Sequence, residues 1–118
     1  MNSINFQNDA PIIQKVYNFY LKLQPIIEQM PKKDKYITGQ KIEQITLDLL
    51  EYLISATYTT KEKKSLYLNQ AAIKLDLLKL LIRLAKDIKA ISLKQYLLLE
   101  EILQEIGKMI GGWIRSLK

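Results

Sequence analysis

Apolar residues recur along this chain at intervals of three and four, the repeat of one face of an α-helix. Ile12, Ile13, Val16, Tyr17, Tyr20, Leu23, Ile27 and Met30 share such a face. Ahead of them, Asn8-Asp9-Ala10-Pro11 offers a polar cap followed by proline in the first turn. Pro25 falls inside the pattern, where its missing N–H should kink the helix, and Pro31 with Lys32-Lys33 ends it. A second helix opens at Asp34 as cap and turns Ile42, Ile45, Leu49, Leu50, Leu53, Ile54 and Ala56 inward, fading over 57–60. Thr59 and Glu62 have the spacing of a capping box, so a third helix follows almost at once. Its first turn then holds the basic residues of 61–64, against the helix dipole; a frayed start nearer Ser65 is the alternative.

The third helix is apolar around most of its circumference: Leu75, Leu77, Leu78, Leu80, Leu81, Ile82, Leu84, Ala85 and Ile88 leave only a narrow strip for Lys79, Arg83 and Lys86. A helix of that kind is covered on more than one side, which predicts either a subunit interface or a central position in the bundle. Ser92 and Gln95 form a second capping-box pattern and open a fourth helix, striped by Leu99, Ile102, Leu103, Ile106, Ile110, Trp113 and Leu117. No run alternates as a strand does. Helices are thus predicted near 10–30, 35–58, 62–90 and 93–115. Short connections make sequence neighbours antiparallel, so the expected fold is all-α, an up-down-up-down four-helix bundle. The expected core includes Ile45, Leu49, Leu53, Leu77, Leu81, Leu84, Ile88, Ile102, Ile106 and Ile110. The 118 residues suit one domain, with 1–9 as a flexible N-terminus.

Composition narrows the chemistry. There is no cysteine and no histidine, so thiol nucleophiles, zinc–thiolate sites, imidazole general bases and most transition-metal ligand sets are excluded. Neither a metal nor another cofactor is expected. The longest uncharged stretches, such as 52–60, run to nine residues, against the roughly 18 that span a bilayer. Residues 1–8 show neither a basic nor an apolar leader region, and the cytoplasm is the expected location. Eighteen Lys and Arg against twelve Asp and Glu give a formal charge of +6 and a pI near 9.4, which favours polyanionic partners.

Candidate catalytic groups are few. Glu101 and Glu105 stand one turn apart without a histidine or a second carboxylate motif to complete a site, and Gly111-Gly112 lacks the strand and the Lys-Ser/Thr of a phosphate loop. No enzyme is expected. Gly107, Gly111 and Gly112 crowd one helix at roughly 1 kcal/mol each relative to alanine. They suggest a close backbone approach, a break that turns Trp113 toward a partner, or plain fraying. Lys35-Tyr36 and Lys94-Gln95-Tyr96 pair aromatic rings with charge as single-strand binders do, although tyrosines at a core boundary look the same. Lys79, Arg83 and Lys86 make a basic stripe flanked by Asp76 and Asp87. Repeated around a ring of subunits it would become a strongly positive surface, since phosphate contacts sum; local ion pairing is the competing reading.

Four segments carry a resemblance: Lys41-Ile42-Glu43 through Leu47-Asp48-Leu49-Leu50-Glu51, Ala72 through Lys74-Leu75-Asp76-Leu77-Leu78, Leu81-Ile82-Arg83-Leu84-Ala85, and Glu105-Ile106-Gly107-Lys108-Met109-Ile110-Gly111-Gly112-Trp113. From about Pro31 onward the chain resembles the accessory variability determinant (Avd) proteins of diversity-generating retroelements. The resemblance implies a homopentameric barrel of four-helix subunits that binds RNA or DNA. It also implies association with the retroelement reverse transcriptase, which copies a template RNA with adenine-directed errors so that the cDNA replaces a variable region. No catalytic residue is implied. The implied nucleic-acid-binding residues are Lys41, Lys79, Arg83, Lys86 and Lys108. The related bundles encoded by intervening sequences of bacterial ribosomal-RNA genes share the architecture, and a purely structural oligomer would use the same apolar third helix. A membrane-surface role fits poorly, because Glu100, Glu101 and Glu105 make the polar face of the fourth helix as acidic as it is basic.

Overall fold

A computed structural model describes residues 11–118, and among these it contains four long helices and no strand. They are α1 (Pro11–Glu28), α2 (Gln40–Thr57), α3 (Lys61–Asp87) and α4 (Leu93–Ser116). The predicted cap at Asn8-Asp9 and the N-terminal residues 1–9 fall outside the described part. The helices close a square in which each lies beside its neighbours in sequence and α1 lies beside α4. At about 1.5 Å per residue, the 27 residues of α3 account for the 43 Å long axis.

Local chemistry explains most boundaries. At the start of α4 the capping box forms as predicted: the Gln95 N–H donates to Ser92 Oγ at 3.1 Å and the Ser92 N–H donates to Gln95 Oε1 at 2.9 Å. Two other starts differ from expectation. Asp34 does not cap the second helix; the chain re-enters helix at Lys32–Asp34, widens into a π-turn over Lys35–Gly39, and only then becomes α2. Gly39 is buried there, where a Cβ would stand 3.0 Å from Ile27 and 3.3 Å from the Met30 sulfur. The wide turn is thus the place where α2 presses against the end of α1. The Thr59–Glu62 box does not form either: Thr60 takes the cap position without a side-chain bond. The basic residues of 61–64 do lie in the first turn of α3. Lys64 resolves part of the conflict with the dipole, because its Nζ donates to the Ala56 and Thr57 carbonyls at 2.7 and 3.2 Å. A cation is favourable at the C-terminus of α2, where carbonyls lack helical partners.

α3 stops in a Schellman motif. Ala90 N–H reaches the Ala85 carbonyl at 2.8 Å and Lys89 N–H reaches the Lys86 carbonyl at 2.9 Å, with Lys89 at φ 64°. Glycine is the usual residue there because an L side chain in the left-handed region is strained. Lys89→Gly is therefore expected to stabilise the fold by about 1 kcal/mol, read as a higher urea midpoint at unchanged slope.

The core corrects the sequence reading on α3. Ile45, Leu49, Leu53, Ile106 and Ile110 are buried as expected, but Leu77, Leu81 and Ile102 are only half-buried, and Leu84 and Ile88 are exposed. The buried face of α3 is Leu68, Ala71, Leu75, Leu78, Ile82 and Ala85. Both faces carry apolar residues at three- and four-residue spacing, so periodicity alone does not choose between them. On α1, Phe19 and Ile26 join the core while Tyr17 is exposed. α1 continues through Pro25, which lies on its solvent side. Thr46, a buried residue of α2, is satisfied by donating its hydroxyl to the Ile42 carbonyl at 2.8 Å.

Candidate nucleic-acid interface

The five cations singled out from the sequence do not form one patch. Lys79 of α3 and Lys108 of α4 line one groove of about 370 Å³, together with Leu75, Asp76, Gln104, Gly107 and Gly111. The glycines do not break α4, which runs unbroken to Ser116 with Trp113 half-buried against the core. The lack of side chains at Gly107 and Gly111 lowers the floor of this groove. A Cβ at Gly107 would sit 3.4 Å from Leu75 and 3.5 Å from Lys79 Nζ, ordinary contact distances. The Arg115 guanidinium reaches back over the same surface, 3.3 Å from where a Cβ on Gly111 would be. Sequence reasoning passed over Arg115; its i+4 relation to Gly111 is the signal that was available.

Arg83 and Lys86 lie further along α3 and share one acid. Arg83 Nε is 3.9 Å from Asp87 Oδ2, with both side chains more than half exposed. Such a pair contributes about 0–1 kcal/mol, leaving the guanidinium available to a phosphate. Lys86 is held more firmly: its Nζ is 3.4 Å from Asp87 Oδ1 and 4.6 Å from the centre of the Tyr96 ring on α4. Asp76, also expected to pair with this stripe, instead lines the Lys79 groove. Lys41 stands apart on the outer face of α2, beside Ile37, Gln40, Gln44 and Leu47.

Other cations are committed to structure. Lys15 bridges α1 to Glu105 of α4, and Lys74 bridges α3 to Asp48 of α2 at 3.4 Å. Lys35 is bound to Glu28 at 2.6 Å, and that hydrogen bond raises its pKa above the ordinary lysine value despite opposing desolvation. No grouping of acidic side chains among the described residues could hold a metal ion, and none of their helices is long and apolar enough to cross a membrane.

On another side, α3 turns an apolar stripe outward. Leu66, Ile73 and Leu80 are 59%, 60% and 61% exposed, so nothing within the bundle covers them. With Leu77, Leu84 and Ile88 they fall within about 40° of a common direction at 100° per residue, opposite the buried face. The model of the bAvd-like family matches residues 11–117. A comparison with curated proteins finds no match.

Proposed function

Since the chain belongs to the bAvd-like family, we propose that it is a non-catalytic accessory protein of a diversity-generating retroelement. In this reading it assembles through the outward stripe of α3 into a homo-oligomer, a pentamer by family resemblance, and binds template RNA or cDNA together with the reverse transcriptase. The observation that supports it best is the outward stripe itself: Leu66, Ile73 and Leu80 are uncovered, a surface that a second copy of the chain would bury. Assembly would cover the stripe and repeat Lys41, Lys79, Arg83, Lys86 and Lys108 around the particle. Affinity purification from the native host should then recover the reverse transcriptase and retroelement RNA; recovery of the chain alone would count against the reading.

Arg83→Glu tests the nucleic-acid half. It is expected to weaken binding across sequences and to flatten the dependence on salt by about one counterion, while light scattering returns an intact oligomer. A purely structural oligomer is the second reading, favoured by Asp87 engaging both Arg83 and Lys86. It expects the same substitution to lower stability or assembly with no separate binding defect.

A further inference from the structure

One end of the bundle carries a net charge of +4. Residues 28–36 and 83–96 hold seven of the eighteen cations but only three of the twelve acids. The two stretches are the α1–α2 and α3–α4 connections with their flanks, and the antiparallel fold puts them side by side. Between them lies a groove of about 550 Å³, lined by Gln29, Pro31, Lys86, Lys89, Ser92 and Gln95. Gln95 Nε2 donates to Gln29 Oε1 at 3.3 Å across it, tying the two connections together.

Four of these cations have no carboxylate within ion-pair distance among the described residues: Lys32, Lys33, Lys89 and Lys94, all exposed. Lys89 stands at a position whose positive φ favours glycine, so a charge occupies this rim where backbone geometry prefers no side chain. At the same end Tyr36 sits on the π-turn, 54% exposed, with Lys35 Nζ 5.6 Å from its ring centre. The two aromatic–basic segments of the sequence, Lys35-Tyr36 and Lys94-Gln95-Tyr96, are thus brought to one end of the molecule. Tyr96 is already occupied by Lys86, and Tyr36 is the more open ring.

We propose that this end of the bundle is a single-strand nucleic-acid platform. Lys32, Lys33, Lys89 and Lys94 contact successive phosphates around the groove, and Tyr36 stacks on an unpaired base. Cationic grooves that track a backbone, with an aromatic ring for the bases, are how sequence-tolerant single-strand binding is built. A duplex has no free base to offer the ring. The inference rests on the nucleic-acid reading above and moves the main contact from the side of α3 to the loop end.

The test is fluorescence anisotropy with a mixed-sequence single-stranded RNA oligonucleotide and with the same strand in a duplex, at two salt concentrations, on the full chain. Lys32→Glu/Lys33→Glu and Lys89→Glu/Lys94→Glu should each weaken single-strand binding at least about tenfold and lower the salt slope by about 1.4, two contacts at 0.7 each. Tyr36→Leu should cost about tenfold on the single strand and spare the duplex. Lys89→Gly should bind more weakly although its fold is more stable, which separates lost charge from lost structure. Circular dichroism and light scattering on each variant check fold and assembly. If both double variants bind as the wild type does while Lys79→Glu/Lys108→Glu binds weakly, the loop-end platform is wrong and the broader nucleic-acid reading survives. If Tyr36→Leu weakens both forms equally, the single-strand assignment is wrong. If the wild-type protein binds neither form at low salt, both readings fall.

Discussion

Leu78→Ala is expected to cost about 2–5 kcal/mol of protomer stability, whereas Leu84→Ala, six residues further along the same helix, should cost less than about 1 kcal/mol. The two leucines differ only in which way α3 turns them. Leu78 is fully buried and its truncation leaves a cavity among close-packed neighbours, while Leu84 is 44% exposed and its truncation leaves none. Urea unfolding at concentrations dilute enough to keep the protomer monomeric gives the comparison, read as a shift in midpoint at constant slope. Equal losses would mean that the buried face of α3 has been assigned to the wrong side.

Leu80→Glu is expected to disperse the proposed oligomer into folded subunits of 13.8 kDa. Leu80 lies in the middle of the outward stripe and is among its most exposed members. Each large apolar side chain withdrawn from water contributes about 1.5–3 kcal/mol to association. A carboxylate there removes that contribution and is buried without a partner, a penalty of further kcal/mol. Because the side chain points to solvent in the single bundle, the helical circular dichroism spectrum and the urea midpoint of the dilute protomer should hardly move. Light scattering at micromolar concentration decides. A particle of unchanged mass would show that subunits meet elsewhere, and a collapsed spectrum would show that Leu80 serves the bundle itself.

What the sequence determined on its own is what acts within one or two turns of chain. Helix existence follows from three- and four-residue spacing, and four helices stand where the pattern set them to within a few residues. The Ser92–Gln95 box was legible because both bonds close between residues three apart. The excess apolar surface of α3 was legible as a quantity, and so was the presence of a basic stripe.

Tertiary structure decided everything that needs a second helix. Along α3, the stripes through Leu78 and Leu84 are equally periodic; which one becomes core depends on where α2 and α4 pack, and neither is encoded in the spacing of α3 itself. The cap moved from Thr59 to Thr60, and the start of α2 widened into a π-turn where Gly39 packs against Ile27 and Met30. Lys64 looked misplaced in a first turn until the end of α2 came within reach of its ammonium. The basic residues show the same division most plainly. A stripe along one helix was legible, but the five candidates that the resemblance implied fall into separate places on the surface. Lys32 and Lys94 are brought to the same end only because the helices run antiparallel. Local forces fix which residues are helical, but the gathering of like charges from different helices is a consequence of packing, driven by apolar side chains that carry no information about the cations they bring together.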